Sequence, residues 1–234
     1  LPFEKDYFEN KHNYKVKFLG HPLLDSIKSF KKPKKTDFFN KHKLDIKKEI
    51  ICILPGSRKQ EIKKILNIML KVTGVFSNYE FIIAGAPNID LEFYNTIISN
   101  RNVKVIKDET YSLLSNSKAA LVTSGTATLE TAIFKIPQVV CYKTSAISYF
   151  LAKIFVKIKF ISLVNLIMNE EIIKELIQDN CSKKNIVKEL KKVLDLKNRN
   201  KLLDKYEKLI SLLGTSGSSN RLAKDIVLKN KFWK

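Results

Sequence analysis

Cysteine, histidine and arginine are scarce in this sequence, and the shortage argues against several classes of protein. Cys52, Cys141 and Cys181 are odd in number and widely spaced, no CxxC pair occurs, and there are only three histidines. This pattern argues against a structural zinc site or a disulfide framework and fits a reducing cytosol. Lysines interrupt the most hydrophobic segment before it reaches about 18 residues, so no transmembrane helix is predicted.

Acidic residues are also few relative to basic ones. Of the 234 residues, 43 are Lys or Arg and 23 are Asp or Glu, which gives a formal net charge of +20. Four of the basic residues are arginines, so the excess is almost entirely lysine. A field of this sign favours polyanionic partners: nucleic acid, an anionic membrane surface or phosphorylated substrates. With 44% hydrophobic residues the chain can form a full core, as one large domain or one domain with appendages.

From residue 50 onward, short apolar runs alternate with segments of helical periodicity such as 60–76. We predict strands at 50–54, 79–86, 103–106, 119–123, 138–142 and 160–164. Strands that are apolar at nearly every position and alternate with helices indicate a parallel sheet covered on both faces. The predicted fold is therefore α/β, a doubly wound parallel sheet with a helical C-terminal tail.

We expect three regions along the chain. Residues 1–47 form an uneven opening, in which 16–27 predicts a short strand entering a turn and 28–43 a solvated basic helix or linker. Residues 48–214 form the α/β domain, whose chain is wholly helical from 170 onward. Residues 215–234 contain a final helix at about 219–230, after glycines that break the preceding one. The chain opens on Leu rather than Met, so we expect a further segment upstream.

The first motif of interest is Leu54-Pro55-Gly56-Ser57-Arg58, directly after a predicted strand. Ligands of doubly wound sheets bind beyond the carboxyl ends of the strands. Gly56 permits close backbone approach, the free N–H groups of a helix start attract an anion, and Arg58 adds a charged donor fork. An ordinary strand-to-helix turn with an incidental arginine is an equally good interpretation of this motif alone.

A second motif lies at 122–134, where a strand ends and Ser124-Gly125-Thr126 opens a helix. Glu130 follows one to two turns into that helix, where its carboxylate could accept hydrogen bonds from the hydroxyls of a ribose. Taken alone, an N-cap hydroxyl followed by an ordinary helical Glu explains the pattern better. Both motifs on one sheet edge, however, describe a site for a nucleotide diphosphate.

The segment 149–167 is aliphatic and aromatic but carries Lys153, Lys157 and Lys159. It fits an amphipathic surface lying on an anionic bilayer, and it fits equally a buried helix and strand whose lysines reach water. Asn165 is a polar amide within this apolar run. It either caps the following turn or points at a ligand.

Five stretches together resemble the lipid-A-disaccharide synthase family: "FLGHPLLD" (18–25), "LPGSRKQEI" (54–62), "SGTATLETAIFKIPQVVCYK" (124–143), "ISLVNLI" (161–167) and "IIKELIQDNCSKKNI" (172–186). Each is weak alone, and five in the family's order and spacing are a strong signal. The family has the GT-B architecture of two doubly wound domains facing across a cleft. The resemblance implies that this chain is the carboxyl-terminal, UDP-binding part.

The resemblance implies an inverting hexosyltransferase of lipid A biosynthesis. It would move 2,3-diacylglucosamine from UDP onto 2,3-diacylglucosamine 1-phosphate, without metal or other cofactor. The resemblance implies that Gly56, Ser57, Arg58 and the Ser124–Gly125–Thr126 helix start hold the diphosphate, and that Glu130 holds the ribose. It places uracil near Ile106 and Lys107, and Asn165 near the diphosphate or sugar, and no catalytic residue in this segment.

The sequence departs from the family at two positions: Val164 stands where a proline is usual, and Lys143 where an arginine is common. The family's general base and acceptor pocket lie upstream of this segment. The implied partners are the two acylated sugars, an anionic membrane surface and a second copy of the chain, with no nucleic acid. The implied location is the cytoplasmic face of the inner membrane of a Gram-negative bacterium.

Two alternatives remain open from the sequence. One is another GT-B enzyme acting on a UDP-sugar, such as the peptidoglycan N-acetylglucosaminyltransferase or a UDP-sugar epimerase. The other is a non-enzymatic basic module that binds nucleic acid, although no recognised nucleic-acid motif is present.

Overall fold

The computed structural model describes residues 1–123, 125–144 and 159–229. Six strands form one sheet in the order β3-β2-β1-β4-β5-β6, and every neighbouring pair is parallel. The strands are β1 (Glu49–Leu54), β2 (Tyr79–Gly85), β3 (Lys104–Lys107), β4 (Ser117–Val122), β5 (Gln138–Tyr142) and β6 (Lys174–Ile177).

Helices follow the strands and also open and close the chain. They are α1 (Pro2–His12), α2 (Leu23–Ser29), α3 (Lys35–Lys41), α4 (Lys59–Leu70), α5 (Leu91–Ile98), α6 (Thr110–Ser115), α7 (Thr126–Ile133), α8 (Leu163–Met168), α9 (Lys183–Leu194), α10 (Leu196–Leu212) and α11 (Ser218–Lys229). Two 3-10 turns lie at Thr73–Val75 and Gln178–Asn180. None of the helices in these described ranges is long and apolar enough to cross a membrane.

Alternating residues of the central strands pack on opposite faces of the sheet. In β1, Ile51 and Ile53 contact the cluster that includes α4 and α5, while Ile50, Cys52 and Leu54 contact the cluster that includes α3 and α6. Both sets are buried because the side chains of a strand point alternately to the two faces. The predicted doubly wound α/β fold is confirmed.

The prediction of a strand at 160–164 is wrong. Ser162 is instead the N-cap of α8, and its Oγ accepts a hydrogen bond from the backbone N of Asn165 at 3.2 Å. The sixth strand is β6, within the region predicted to be wholly helical. It lies at the edge of the sheet and only Leu176 is buried in it, so its four residues lack the apolar pattern of the central strands.

The opening region also differs from the prediction. No strand forms at 16–27, where α2 begins directly after Pro22. Within 28–43, α3 is helical as expected, but it is not simply solvated. The lysines around Phe38 and Phe39 face water, whereas the two rings are buried in the core beside the sheet.

The chain's opening segment is bonded to its final helix in a region that we call the clasp, Lys17–Lys28 with Leu213–Asp225. Asp25 accepts hydrogen bonds from Gly217 N, from Ser218 Oγ at 2.9 Å, and from the N and Oγ of Ser219 at 2.9 Å each. These bonds, led by those from the Ser219 and Gly217 backbone, hold the pKa of Asp25 well below its usual range. Arg221 donates to the carbonyl oxygens of Leu19, Thr215 and Ser216.

Close backbone packing in the clasp depends on Gly20. Its φ is +96°, and a Cβ on it would lie 2.8 Å from Nη2 of Arg221. His21 N also donates to Leu213 O at 3.0 Å. The "FLGHPLLD" motif therefore serves to fasten α11.

Candidate functional site

The order in which strands are added to the sheet reverses at β1. β2 and β3 lie on one side of it, and β4, β5 and β6 lie on the other. At such a switch point the connections leave on opposite faces, so a crevice opens at the carboxyl ends of the two strands. A cavity of about 410 Å³ lies there, and we call it the switch-point cavity. It is lined by Leu54, Gly56, Ser57, Arg58, Glu61, Ala84, Gly85, Ala86, Pro87, Thr110, Thr123, Gly125, Thr126, Ala127, Glu130 and Tyr142.

The turn after β1 brings the first motif to this cavity. Gly56 has a φ of +105°, a conformation that L side chains rarely adopt, and a Cβ there would meet Oε2 of Glu61 at 3.1 Å. Arg58 is the N-cap residue of α4, whose first turn has no side-chain cap. Its Nη1 pairs with Oε1 of Glu61 at 2.9 Å, and its side chain is 80% exposed. Arg58 is therefore accessible, and an incoming phosphate would compete with a weak surface ion pair.

The turn after β4 brings the second motif to the same cavity. Gly125 has a φ of +100° and its carbonyl accepts the Oγ1–H of Thr128 at 2.8 Å, which closes the first turn of α7. No atom of the described residues lies within 4 Å of a Cβ built on Gly125, so these residues leave the space above it open. Thr126 is exposed at the helix start. Ser124 falls outside the described residues.

Thr123 was not predicted as a site residue. It follows the last residue of β4, is 6% exposed, and lines the switch-point cavity. Its Oγ1 is buried and has no hydrogen-bond partner in the described protein, although its backbone N donates to Leu54 O. A buried hydroxyl without a partner costs free energy unless a ligand or water satisfies it. A hydroxyl residue ending an otherwise apolar run was the available sequence signal.

Glu130 lines the cavity from α7 and accepts a hydrogen bond from the Tyr111 hydroxyl at 3.2 Å. Burial raises the pKa of Glu130, and the hydrogen bond from Tyr111 opposes that rise. Burial and the neighbouring Glu130 charge raise the pKa of Tyr111 to about 12. Tyr111 packs against Phe134 and Phe30, which hold its ring in place. No local pattern in the sequence points to Tyr111, because it lies 19 residues from Glu130.

Ile106 and Lys107 do not line the switch-point cavity. Ile106 is buried in the core, and Lys107 ends β3. Lys107 does lie close to Gly85, which is a lining residue: a Cβ on Gly85 would meet Lys107 Cγ at 2.8 Å. The end of β3 is therefore one strand away from the cavity.

Asn165 is fully buried in α8, and all of its side-chain hydrogen-bonding capacity is used within the protein. Oδ1 accepts from Ile172 N at 2.9 Å and Ile173 N at 3.0 Å, while Nδ2 donates to Ile173 O at 2.8 Å and Glu175 Oε1 at 2.9 Å. Glu175 also accepts from Ser162 N and Oγ. This arrangement corresponds to the capping interpretation of Asn165, and contact with a ligand stays a prediction.

Six predicted site residues thus meet around one cavity: Gly56, Ser57, Arg58, Gly125, Thr126 and Glu130. Two uncapped helix starts and a carboxylate at the switch point of a parallel sheet are the arrangement of a nucleotide-binding α/β domain. Solved structures share the fold. A UDP-GlcNAc 2-epimerase from Neisseria meningitidis, bound to UDP-GlcNAc, is similar with a TM-score of 0.56 and 18% identity, over 89% of this chain and 54% of that one.

CalG4, the calicheamicin glycosyltransferase, is similar with a TM-score of 0.54 and 12% identity, over 81% of this chain and 44% of that one. At these identities the likeness shows the fold alone, and it covers about half of each of those two chains. The sequence model of the lipid-A-disaccharide synthetase family matches residues 1–228. The chain belongs to the lipid-A-disaccharide synthetase family.

A curated relative supports this membership. The lipid-A-disaccharide synthase of Persephonella marina is 33% identical over 237 residues, which cover 95% of this chain and 62% of that protein. The chain therefore spans about three fifths of the length of that relative. Membership does not favour the alternatives that the sequence left open, namely the peptidoglycan N-acetylglucosaminyltransferase, the UDP-sugar epimerase and the nucleic-acid module.

Proposed function

We propose that the chain is the UDP-sugar-binding part of an enzyme that forms the lipid A disaccharide. The enzyme would transfer 2,3-diacylglucosamine from UDP to 2,3-diacylglucosamine 1-phosphate, with inversion at the anomeric carbon. The observation that carries the proposal is the convergence of two helix starts, Arg58 and Glu130 on one cavity at the switch point, in a chain of this family. The acceptor hydroxyl attacks the anomeric carbon, UDP departs, and a base takes the hydroxyl proton.

The departing UDP is the centre of the chemistry that this part would supply. Negative charge develops on its diphosphate as the glycosidic bond to the sugar breaks, and donors fixed in advance stabilise such charge most effectively. We assign this role to Arg58, the backbone N–H groups at Gly56–Ser57 and the helix start at Ser124–Gly125–Thr126. Thr123 adds a buried hydroxyl that has no hydrogen-bond partner among the described residues.

The nucleoside would lie across the neighbouring strand ends. Glu130 would accept hydrogen bonds from the ribose hydroxyls, and the backbone of Ile106 and Lys107 at the end of β3 would face uracil. We assign Asn165 a positioning role, because its bonds hold α8 against Ile172 and Ile173, the two residues that precede β6. The Gly125–Ser162 bridge links that unit to the cavity.

The general base and much of the acceptor pocket belong to a part of the enzyme beyond residues 1–234. We divide the chain into 1–47 as the end of the preceding domain and its crossover, 48–214 as the UDP-sugar domain, and 215–234 as the final helix. A bound donor reacts only when an acceptor and a base are positioned beside it. The chain alone should therefore bind UDP and form no disaccharide.

Two measurements on the 234-residue chain test whether it binds the donor nucleotide but lacks the catalytic base. Calorimetry measures UDP binding, and conversion of a radiolabelled acceptor at saturating donor measures transfer. Fusing the amino-terminal half of a relative on the same chain should restore transfer. Turnover by the chain alone would show that the base lies within it, and absent UDP binding would refute the nucleotide site itself.

The ribose contact is tested at Glu130. Glu130→Ala should weaken UDP binding more than binding of the 2′,3′-dideoxy analogue, because the analogue lacks the hydroxyls that the carboxylate accepts. Since burial raises the pKa of Glu130, protonation should weaken UDP binding as the pH falls through that raised value. Glu130→Gln should remove this pH dependence. If Glu130→Ala lowered the affinity for UDP and for the dideoxy analogue equally, the role of Glu130 would be purely structural.

We further propose that the protein is cytoplasmic, associates peripherally with the inner membrane of a Gram-negative bacterium and forms a homodimer. The +20 charge and the acylated substrates support the membrane contact. Lys153 and Lys157 lie outside the described residues, and Lys159 Nζ stands 5.2 Å from the ring centroid of Phe160. Replacing the three lysines by Gln should reduce binding to anionic vesicles. Unchanged vesicle binding would show that 149–167 is not the contact.

A further inference from the structure

A second, strongly basic cavity lies beside the switch-point cavity. It has a volume of about 400 Å³ and is lined by Arg58, Lys59, Gln60, Glu61, Lys64, Lys143 and Thr144; we call it the lysine cleft. Arg58 and Glu61 line both cavities, so they form the wall between them. Its volume lies within the roughly 300–1,000 Å³ of small-molecule sites.

The charge of the lysine cleft is not balanced by its own residues. Its lining holds four cationic side chains and one carboxylate, and that carboxylate, Glu61, already pairs with Arg58. In the described ranges no ion pair involves Lys59, Lys64 or Lys143, whereas Lys118 and Lys205 have carboxylate partners. Cations held together without counter-charges repel one another, and an anion that enters relieves this repulsion.

The cations come from two separate elements that the fold brings together. Lys59 and Lys64 lie on α4, and Lys143 directly follows β5. Lys59 is further held by a cation–π contact, with Nζ 5.7 Å from the ring centroid of Phe93. The first turn of α4 has no side-chain cap, so its free N–H groups and positive dipole end add to the same field.

We propose that the lysine cleft binds a phosphomonoester, in addition to any nucleotide in the switch-point cavity. Several lysine ammonium groups suit a compact dianion better than a planar carboxylate, for which arginine forks are preferred. The wall formed by Arg58 and Glu61 separates this phosphate from a diphosphate in the neighbouring cavity. The inference goes beyond UDP binding and stands whether or not the neighbouring cavity takes UDP.

The test uses glucosamine 1-phosphate as the probe and glucosamine as the matched probe without phosphate. Each is titrated into the protein by calorimetry, with and without saturating UDP. The variant Lys64→Gln/Lys143→Gln is compared with Lys183→Gln/Lys184→Gln, which removes the same charge from exposed positions of α9. A parallel arm measures binding to phosphatidylcholine vesicles with and without phosphatidic acid, which separates a lipid phosphate from a soluble one.

We expect saturable binding of glucosamine 1-phosphate but not of glucosamine, and we expect it to persist with UDP present. Lys64→Gln/Lys143→Gln should lower the affinity for glucosamine 1-phosphate by about tenfold or more. Lys183→Gln/Lys184→Gln should lower it by less than about twofold. Binding confined to phosphatidic acid vesicles, with the same dependence on the variants, would identify a lipid phosphate as the ligand.

Equal losses in the two variants would overturn the proposal, because they would indicate a general charge effect. Displacement of the probe by UDP would also overturn it, since the phosphate would then occupy the nucleotide's own site. Absence of saturable binding to both soluble and lipid probes would do the same. If UDP itself fails to bind, the proposed function fails, and the comparison of the two variants still decides whether the cleft binds phosphate.

Discussion

The clasp and the switch-point cavity both contain residues of the motifs that define the family, yet their polar groups are in opposite states. In the clasp, Asp25 accepts four hydrogen bonds and Arg221 donates three. In the cavity, the Thr123 hydroxyl has no partner in the described protein and Arg58 is largely exposed. The first set is complete without a ligand, and the second is not.

This contrast separates structural from ligand-binding motif residues. A buried polar group is most stable when it is hydrogen-bonded, so spare hydrogen-bonding capacity facing a cavity is available to a ligand or to water. Asn165 resembles the clasp residues, because its side-chain amide already makes four hydrogen bonds within the protein. The following predictions test the contrast, from the largest expected effect to the smallest.

Asn165→Ala should strongly destabilise the protein, because it removes the two buried hydrogen bonds that the Asn165 amide makes with the backbone N and O of Ile173. We expect the free energy of unfolding, measured by urea denaturation, to fall by about 3 kcal/mol. Asn185→Ala is the matched control, since the Asn185 amide makes one exposed bond to Asn180 O. Preserved stability together with lost UDP affinity would instead make Asn165 a ligand residue.

Arg58→Ala should weaken UDP binding without affecting folding. A charge-assisted hydrogen bond to phosphate contributes about 1.5–3 kcal/mol, which corresponds to roughly one to two powers of ten in affinity. The surface pair with Glu61 contributes only about 0.2–1 kcal/mol, so the phosphate should displace it. Lys63→Ala, an equal change of charge on the exposed side of α4, is the calorimetric control. An unchanged UDP affinity in the folded Arg58 variant would remove it from the site.

Thr123→Val should lower UDP affinity by roughly twofold to tenfold, the value of about 0.5–1.5 kcal/mol for a neutral hydrogen bond. The melting temperature should not fall, because the lost hydroxyl forms no hydrogen bond with the described residues. Thr123→Ser keeps the hydroxyl and should keep the affinity. A clear drop in melting temperature with unchanged affinity would mean that the hydroxyl is satisfied within the protein.

Asp25→Asn should loosen α11 in a pH-dependent way. The pKa of Asp25 is depressed in the folded state, so its stabilising effect is present above the unfolded pKa of about 3.9 and is lost as the pH falls through the folded value. In the unaltered chain, amide exchange of α11 should therefore accelerate at strongly acidic pH. The variant should exchange faster at neutral pH too, and Asp179→Asn, at an exposed position, should not. Identical α11 exchange in Asp25→Asn and the parent would contradict the clasp.

Strands buried on both faces could be predicted from the sequence because burial there is nearly continuous. β1 and β5 lie within one residue of the predicted bounds, since Ile, Val and Cys fill them. β6 could not be predicted, because this edge strand has only four residues and the first two are charged. The unit of α8 and β6 depends on Glu175 meeting Ser162 and Asn165, a contact between separated segments.

The residues of the candidate site also differ in how well the sequence predicts them. Gly56, Arg58 and Gly125 could be predicted because helix starts after strands are local patterns. Tyr111 could not, since its role depends on a partner 19 residues away. Thr123 was overlooked because an unsatisfied hydroxyl is recognisable only when all of its neighbours are known. The sequence also could not show that "FLGHPLLD" belongs to the clasp, which joins residues about 200 positions apart.

The two outer strands of the sheet have a consequence for the behaviour of the protein in solution. β3 carries Lys104 and Lys107, and β6 begins with Lys174, so lysines stand on both edges of the described sheet. An edge strand is a template for adding another chain, and charged side chains on it oppose such pairing. Screening by salt weakens that protection. Preparations of the chain should therefore stay monodisperse at low ionic strength and begin to self-associate as salt is added.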